Sequence, residues 1–210
     1  MYGAVVAASA LVLTACGGDD SGEDDEIAGV QSPSEEPEAS EDPEPTEEPA
    51  DDRPEIDLGP DLENVYESHV SGGDPEDAIV ESIQGFNDAT DEAIVSGEND
   101  RPALRYYTAD EALMRTLEVL SVVYENGESS TGTTRYTIHS VSLVDDTSAT
   151  FTFCRDYREL DVTDFETGEV IEEADPNAVP DRYVGRVELN EEDVWQVVGY
   201  DFEQHSPDCA

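Results

Sequence analysis

Apolar residues recur at helical spacing between positions 79 and 94. The chain just before them reads Asp74-Pro75, residue types favoured at a helix N-cap and at the first helical position. Gly97 follows the stretch, and glycine commonly ends a helix in the left-handed conformation. The pattern predicts a helix that ends near Val95 and buries one face, made of Ile79, Val80, Ile83, Phe86, Ala93 and Ile94.

A second helical pattern follows at residues 108–126. Thr108 and Glu111, three residues apart, have the sequence signature of a capping box, which predicts where this helix starts. Gly127 predicts its end. The expected apolar face consists of Leu113, Leu117, Leu120, Val123 and Tyr124. Between the two helices, residues 102–107 predict a short helical turn that begins with proline.

After Gly132 the pattern alternates between apolar and polar residues, as in strands. Alternating stretches cover residues 136–143, 149–156, 181–189 and 194–202, and Val170-Ile171 resumes the pattern briefly after a turn. Gly185 within a stretch predicts a bulge or a close backbone approach. Helices followed by a run of strands predict an α+β fold, with N-terminal helices packed on a curved antiparallel sheet.

The first sixty residues have a different composition. An apolar run at residues 4–13 is too short to span a bilayer, which takes about 20 residues. From residue 17 to about residue 60, acidic residues alternate with prolines and no aromatic residue occurs. Such a segment cannot bury enough apolar surface to offset its ordering entropy, so we expect a disordered, extended tether. A cation-binding acidic tract is the alternative.

The sequence Leu13-Thr14-Ala15-Cys16 at the end of the apolar run resembles the bacterial lipobox of lipoprotein signal peptides. The resemblance implies removal of residues 1–15 and attachment of lipid, including palmitate, to Cys16. Residues 1–3 lack the basic residue usual in a signal peptide, so either the true start lies upstream or the signal is weak. A buried apolar helix or strand is the alternative.

If the lipobox resemblance holds, the chain has three parts: a signal peptide at 1–15, a lipidated tether at 16–60 and a folded domain at 61–210. The protein would then sit on the extracytoplasmic face of the cell membrane, anchored through Cys16 and not spanning the bilayer. Its partner would be the membrane itself, reached through the lipid.

The net charge of the chain is -45, from 54 acidic residues and nine basic residues that are all arginine. A chain this acidic repels nucleic-acid phosphates, so the charge excludes nucleic acid as a partner. No metal-ligand spacing, phosphate loop or nucleophile elbow occurs in the sequence, so no cofactor and no metal are predicted.

The chain has three cysteines, Cys16, Cys154 and Cys209. With Cys16 lipidated, the other two form an even pair in an oxidising compartment, which predicts a Cys154–Cys209 disulfide. The alternatives are two free thiols, or Cys16 as an ordinary disulfide partner on a disordered tether.

From about residue 74 to residue 209 the chain resembles the nuclear-transport-factor-2-like superfamily, which includes the SnoaL-like proteins. The order of helices and strands carries this resemblance, together with the Thr167-Gly168 hairpin and the Asp193-Val194-Trp195 turn and strand of exported actinobacterial lipoproteins. It implies a cone-like domain with a pocket between the helices and the concave sheet. It also implies homodimers formed through the outer sheet face.

The expected pocket-lining residues are aromatic or titratable, although an aromatic set of this kind also fits an ordinary core. They are Tyr106, Tyr107, Tyr136, His139, Phe151, Asp156, Tyr157 and Trp195. Strict alternation puts His139 on the same face as Val141 and Leu143, which favours the cone interior. There it could form a general-base dyad with Asp156, or be a structural histidine.

A charged run, Arg155 to Glu159, follows the Cys154 strand. It is either a solvated strand end with local ion pairs or a rim that selects an anionic ligand through Arg155 or Arg158. The sequence favours a non-catalytic binding or interaction module, with a small apolar ligand or an envelope protein as partner. The alternatives are a small isomerase, cyclase or hydrolase that uses His139 and Asp156, and a structural component of an envelope complex.

Overall fold

A computed structural model of the chain describes residues 53–210. The expected signal peptide, Cys16 and most of the expected tether lie outside the described residues. The elements are β1 (Leu62–Ser68), α1 (Glu76–Ser96), α2 (Pro102–Tyr107), α3 (Asp110–Asn126), β2 (Glu128–Asp145), β3 (Ser148–Asp164), β4 (Val170–Glu172), β5 (Asp181–Leu189), β6 (Trp195–Glu203) and a 3₁₀ turn (Pro207–Cys209). In this part of the chain no helix is both long and apolar enough to cross a membrane.

Both long helices end where the sequence predicts. Gly97 and Gly127 follow α1 and α3 in the left-handed conformation, with φ of 69° and 68°, which few residues other than glycine adopt cheaply. The predicted capping box at Thr108 is wrong. Thr108 is buried and extended and bridges to Val197 of β6, so α3 begins at Asp110. Docking of this linker against the sheet overrides its local capping preference.

The sheet is mixed, and this corrects the expectation of an antiparallel one. Its path runs β1-β2-β3-β5-β6, with β4 paired to β3. β2, β3, β5 and β6 pair antiparallel, but β1 pairs parallel to β2, from Leu62 opposite Gly132 to Ser68 opposite Ile138. The α+β class and the helices on the sheet are confirmed, and the unpredicted strand β1 lies at the sheet edge.

The interior between helices and sheet is filled by side chains. Phe151 and Phe153 of β3 stack at 5.8 Å, and Phe153 stacks on Tyr183 of β5 at 4.7 Å. Gly185 of β5 faces the Phe151 ring so closely that a Cβ atom would not fit, which confirms the predicted close approach. Helices α1 and α3 cover these rings with Ile79, Ile83, Phe86 and Leu120, all buried.

The predicted cysteine pair is present as a disulfide. Cys154 lies in the middle of β3 and Cys209 in the 3₁₀ turn, with Cα atoms 5.8 Å apart. Cys154 is 5% exposed, so the bond lies against the sheet. It joins residues separated by 55 positions and fixes the segment after β6 to a central strand.

Candidate functional site

The side chains expected to line one pocket lie in several different places. Tyr106, Tyr107 and Trp195 line a small cavity of about 120 Å³ near the start of α1. Tyr136 and Phe151 are core residues, each 2% exposed. The remaining three are separated by the sheet, because His139 and Asp156 lie on its outer face and Tyr157 lies on the side of the helices.

The expectation that His139 lies inside the cone is wrong. Ile138 pairs with Phe153 while Ser140 pairs with Thr152, so His139 is the extra residue of a β-bulge. The bulge leaves Tyr136, Ile138 and Val141 facing the core and His139 exposed on the outer face. Its Nε2 atom lies 3.1 Å from Cys154 Sγ. Burial, with His69 and Arg182 nearby, lowers the pKa of His139.

Asp156 also lies on the outer face, and within residues 53–210 no hydrogen bond joins it to His139. Its carboxylate accepts hydrogen bonds from Arg158, with Oδ1 at 2.9 Å from Nε and Oδ2 at 2.5 Å from Nη2. These hydrogen bonds, more than the nearby Arg135, lower the pKa of Asp156. The proposed His139–Asp156 dyad is therefore not formed, and Arg158 belongs to a local ion pair.

Arg155 points the other way, because alternate residues of a strand face opposite sides of the sheet. Together with Tyr157 it lines a cavity of about 400 Å³ between α3, β3 and the loop that precedes β5. We call this space the Arg155 cavity. Its described lining includes an apolar wall made of Ile94, Val119, Val123, Leu160 and Val162, and Arg155 is the only arginine among these lining residues.

A buried polar network connects Arg155 to helix α1. Asp91, 4% exposed, accepts hydrogen bonds from the Tyr136 hydroxyl at 2.8 Å and from Asn64 Nδ2 at 2.9 Å. Arg155 Nη2 lies 3.6 Å from Asp91 Oδ1, so the guanidinium has an opposite charge beside it. Arg155 Nε is buried and has no hydrogen-bond partner. The network fixes the arginine while leaving one donor unused.

The neighbouring carboxylate, Asp88, joins β1 to the same helix. It accepts hydrogen bonds from the Tyr66 hydroxyl at 2.6 Å and from Asn64 Nδ2 at 2.9 Å. Burial raises the pKa of Asp88, although these hydrogen bonds oppose the shift. Burial also raises the pKa of Tyr66 and of Tyr136, so both hydroxyls keep their protons and act as donors.

Several polar groups of the Arg155 cavity already have structural partners. The Tyr157 hydroxyl donates to the Val179 carbonyl at 3.2 Å. Asp181 is buried and accepts a hydrogen bond from the His205 backbone N–H at 2.9 Å. Glu128, Glu172, Glu173 and Asp175 are also among the lining residues and give this cavity an acidic character. Arg155 therefore lies in a lining that is otherwise largely acidic or apolar.

A second buried charge pair lies at the end of α1. Glu92, fully buried, receives Arg101 Nη2 at 2.5 Å and the Asp57 backbone N–H at 3.1 Å, both on Oε1. The Arg101 side chain is 32% exposed and also contacts Glu98. These contacts attach the segment before β1 and the segment after α1 to one helix, which suggests a structural role.

Sequence reasoning did not single out Asp88, Asp91, Glu92 or Asn64. In a chain with 54 acidic residues, one more carboxylate pair carries little information. A usable signal was present nevertheless, because Asp91 lies four residues after Asn87 and eight after Ile83, on the face that the apolar spacing buries. A charged residue on a buried helix face is expected to have a specific partner.

Comparisons with known proteins give structural similarity only. No protein-family model matches the chain, and no curated protein matches it. A ketosteroid isomerase-like protein from Erwinia carotovora atroseptica SCRI1043 is 18% identical with a TM-score of 0.40, over 63% of this chain and 94% of that one. An NTF-2 like protein of unknown function from Shewanella oneidensis MR-1 is 16% identical with a TM-score of 0.37, over 61% and 98%.

The intermembrane space region of the chloroplast protein ARC6 is 12% identical with a TM-score of 0.43, over 64% of this chain and 99% of that one. One of these three structures, the Shewanella oneidensis protein, carries the name of the superfamily that the sequence resembles. Similarities this weak carry no argument about activity.

Proposed function

We propose that this chain is a lipid-anchored, extracytoplasmic binding module that holds a small amphipathic molecule in the Arg155 cavity. The ligand's carboxylate contacts Arg155, and its apolar part lies against α1 and α3. A positively charged or neutral polar end faces the acidic residues of the cavity. A free apolar amino acid has this distribution of groups.

The observation that carries the proposal is the guanidinium of Arg155 at the wall of this cavity. Its Nε is buried, but the side chain as a whole is 25% exposed, so a ligand can contact the exposed part of the guanidinium. Arginine and a carboxylate form short, charge-assisted hydrogen bonds. Asp91, at 3.6 Å, is too distant for a short hydrogen bond and leaves the guanidinium available to a second acceptor.

The shape and lining of the cavity support a small ligand. Its volume of about 400 Å³ is in the usual range for small-molecule sites, about 300–1,000 Å³. The apolar wall, which includes Ile94 and Val123, offers contact to an apolar part of the ligand. The carboxylates of Glu172 and Glu173 would repel a second negative charge on the ligand. Binding is favoured over catalysis because Tyr157 and Asp181 are engaged in structural hydrogen bonds.

Ligand binding can be tested with defined probes on the full chain carrying Cys16→Ser. We expect L-leucine or L-phenylalanine to bind more tightly than octanoate, which lacks the ammonium group, and than L-leucinamide, which lacks the carboxylate. Isothermal titration calorimetry measures the affinities. A result in which leucinamide binds as tightly as leucine would contradict the role of Arg155, and no binding by any probe would contradict the amphipathic ligand.

Two neighbouring valines of α3 offer a matched control. Val123 lines the Arg155 cavity, whereas Val122 is 57% exposed and is not among the residues lining it. Val123→Trp should fill the cavity and lower probe affinity by at least about 10-fold, which corresponds to about 1.4 kcal/mol. Val122→Trp should leave the affinity unchanged. Equal effects of both substitutions would place the binding site elsewhere.

The anchoring part of the proposal rests on the lipobox resemblance at Cys16. When the chain is expressed from its native N-terminus in a bacterium, we expect it in the membrane fraction, with a mass that includes lipid. The Cys16→Ala variant should leave that fraction, because one or more acyl chains provide the membrane affinity. If both forms are soluble and keep Met1, the lipobox interpretation is wrong.

A further inference from the structure

Both cysteines of the disulfide lie next to histidines on the outer face of the sheet. His139 Nε2, Cys154 Sγ and Cys209 Sγ all lie within 4.8 Å of one another. The ring of His69, just after β1, meets the His139 ring edge-on with centroids 5.3 Å apart. The His69 backbone N–H donates to the Ile138 carbonyl at 2.8 Å, which fixes its position beside the bulge.

Two cysteines and one histidine lie within 4.8 Å of one another, with a second histidine ring beside them, and these are the residue types that tetrahedral zinc binds. Zn²⁺ binds cysteine thiolates at about 2.3 Å and histidine nitrogens at about 2.0–2.1 Å, and two of each form a common structural site. As a disulfide, the two sulfurs provide no thiolate. Reduction would therefore convert the same four residues from a covalent crosslink into a set of metal ligands.

We propose that His139, Cys154 and Cys209 form a zinc-binding site when the Cys154–Cys209 disulfide is reduced, and that a rotation of the neighbouring His69 ring supplies the fourth ligand. In this reaction a dithiol reductant gives two electrons and two protons, the S–S bond breaks, and the reductant becomes a disulfide. Zn²⁺ then displaces one proton from each cysteine thiol and coordinates the two thiolates and the neutral imidazoles. The proposal does not depend on the ligand of the Arg155 cavity.

The positions of these residues in the fold are compatible with a change from a disulfide to a set of metal ligands. Cys154 and His139 lie on adjacent paired strands, and a bulge aims the histidine outward, so their separation is set by the sheet. Cys209 lies in a short 3₁₀ turn, where its sulfur can move away from Cys154 to the spacing that a metal requires. Arg182 is the nearby positive charge, and its Nε lies 3.9 Å from Asp208 Oδ2. The two thiolates offset the charge of the bound Zn²⁺, and Asp208 stays beside Arg182.

Cobalt provides a spectroscopic test, because Co²⁺ replaces Zn²⁺ and reports thiolate ligands by charge-transfer absorption and tetrahedral geometry by its visible bands. The full chain carrying Cys16→Ser has only the two cysteines of interest. After anaerobic reduction with a dithiol and removal of the dithiol, we expect one Co²⁺ per chain with both signals. The disulfide form should show neither, which separates this site from weak binding by exposed carboxylates.

Substitutions then assign the ligands. Cys209→Ser should abolish most of the charge-transfer signal. His139→Ala should weaken binding by at least about 10-fold, since even residues that only support a ligand cost about 10–100-fold when removed. His139 is exposed, so this variant should fold normally, as circular dichroism can verify. His205→Ala changes an exposed histidine that lines the Arg155 cavity, and as the control it should leave the Co²⁺ affinity and spectrum unchanged.

Two outcomes would overturn the proposal. One is a reduced chain that binds no more Co²⁺ than the disulfide form. The other is a His139→Ala variant with the affinity and spectrum of the unsubstituted protein. Neither outcome bears on leucine binding, so the failure of this proposal is distinguishable from failure of the proposed function.

Discussion

Arg101→Met is expected to lower the free energy of unfolding by clearly more than a surface substitution does, because it breaks an ion pair that has one buried partner. The reason is that Glu92 is fully buried and would lose its charged partner, while its second carboxylate oxygen already has no hydrogen bond. The Arg101 side chain is itself 32% exposed, which keeps the effect from being larger. Urea unfolding followed by circular dichroism measures this change in the free energy of unfolding.

The double variant Glu92→Gln, Arg101→Met should be markedly more stable than Arg101→Met alone, because the uncompensated charge is gone. Arg105→Met is a matched control on α2 with an exposed side chain, and it should change stability by no more than about 0.5 kcal/mol. If the double variant is no more stable than the single one, the loss does not come from the stranded charge of Glu92.

Cys209→Ser should lower the free energy of unfolding by about 4 kcal/mol, because a crosslink over 55 positions restricts the unfolded chain. The midpoint of urea unfolding should fall accordingly, and the m-value should rise as the unfolded state expands. Substitution at Cys209 is preferable to substitution at Cys154, whose buried position would also place a hydroxyl against the sheet.

The control for this prediction is Cys16→Ser, which leaves the disulfide in place. Intact mass with an alkylating reagent, before and after reduction, shows whether the two thiols are bonded in the purified protein. Alkylation of Cys154 and Cys209 without reductant would contradict the pairing. A bonded protein whose stability does not change with Cys209→Ser would contradict the entropic explanation.

The parts of the fold that depend on local pattern were predictable. Apolar spacing and the closing glycines at 97 and 127 defined α1 and α3, since both signals act within a few residues. Strand β1 was not predicted, because a parallel edge strand depends on a partner some seventy positions away and has little alternation of its own. The conformation of Thr108 is likewise set by its bridge to β6, which overrides its preference for a helix N-cap.

The functional site was harder to predict, and His139 illustrates the reason. A sequence read with strict alternation assigns it to the core, but a single extra residue in β2 reverses which face the following side chains occupy. Nothing in the residues around His139 marks that bulge. Alternation also puts Arg155 and Arg158 on opposite faces of β3. Which of the two faces inward is known only once the strand has been placed in the sheet.

The parallel pairing of β1 would have a mechanical consequence if the domain is held by the proposed tether. A force on the chain before residue 53 that is directed along β1 loads the β1–β2 pairing in shear, because β2 is held by β3 on its other side. All the hydrogen bonds along β1 are then strained together instead of opening one at a time from an end. The N-terminal end of the domain should therefore resist such a force in shear. Contacts that precede β1 in the chain, such as the hydrogen bond from Asp57 to Glu92, would break before the β1–β2 hydrogen bonds.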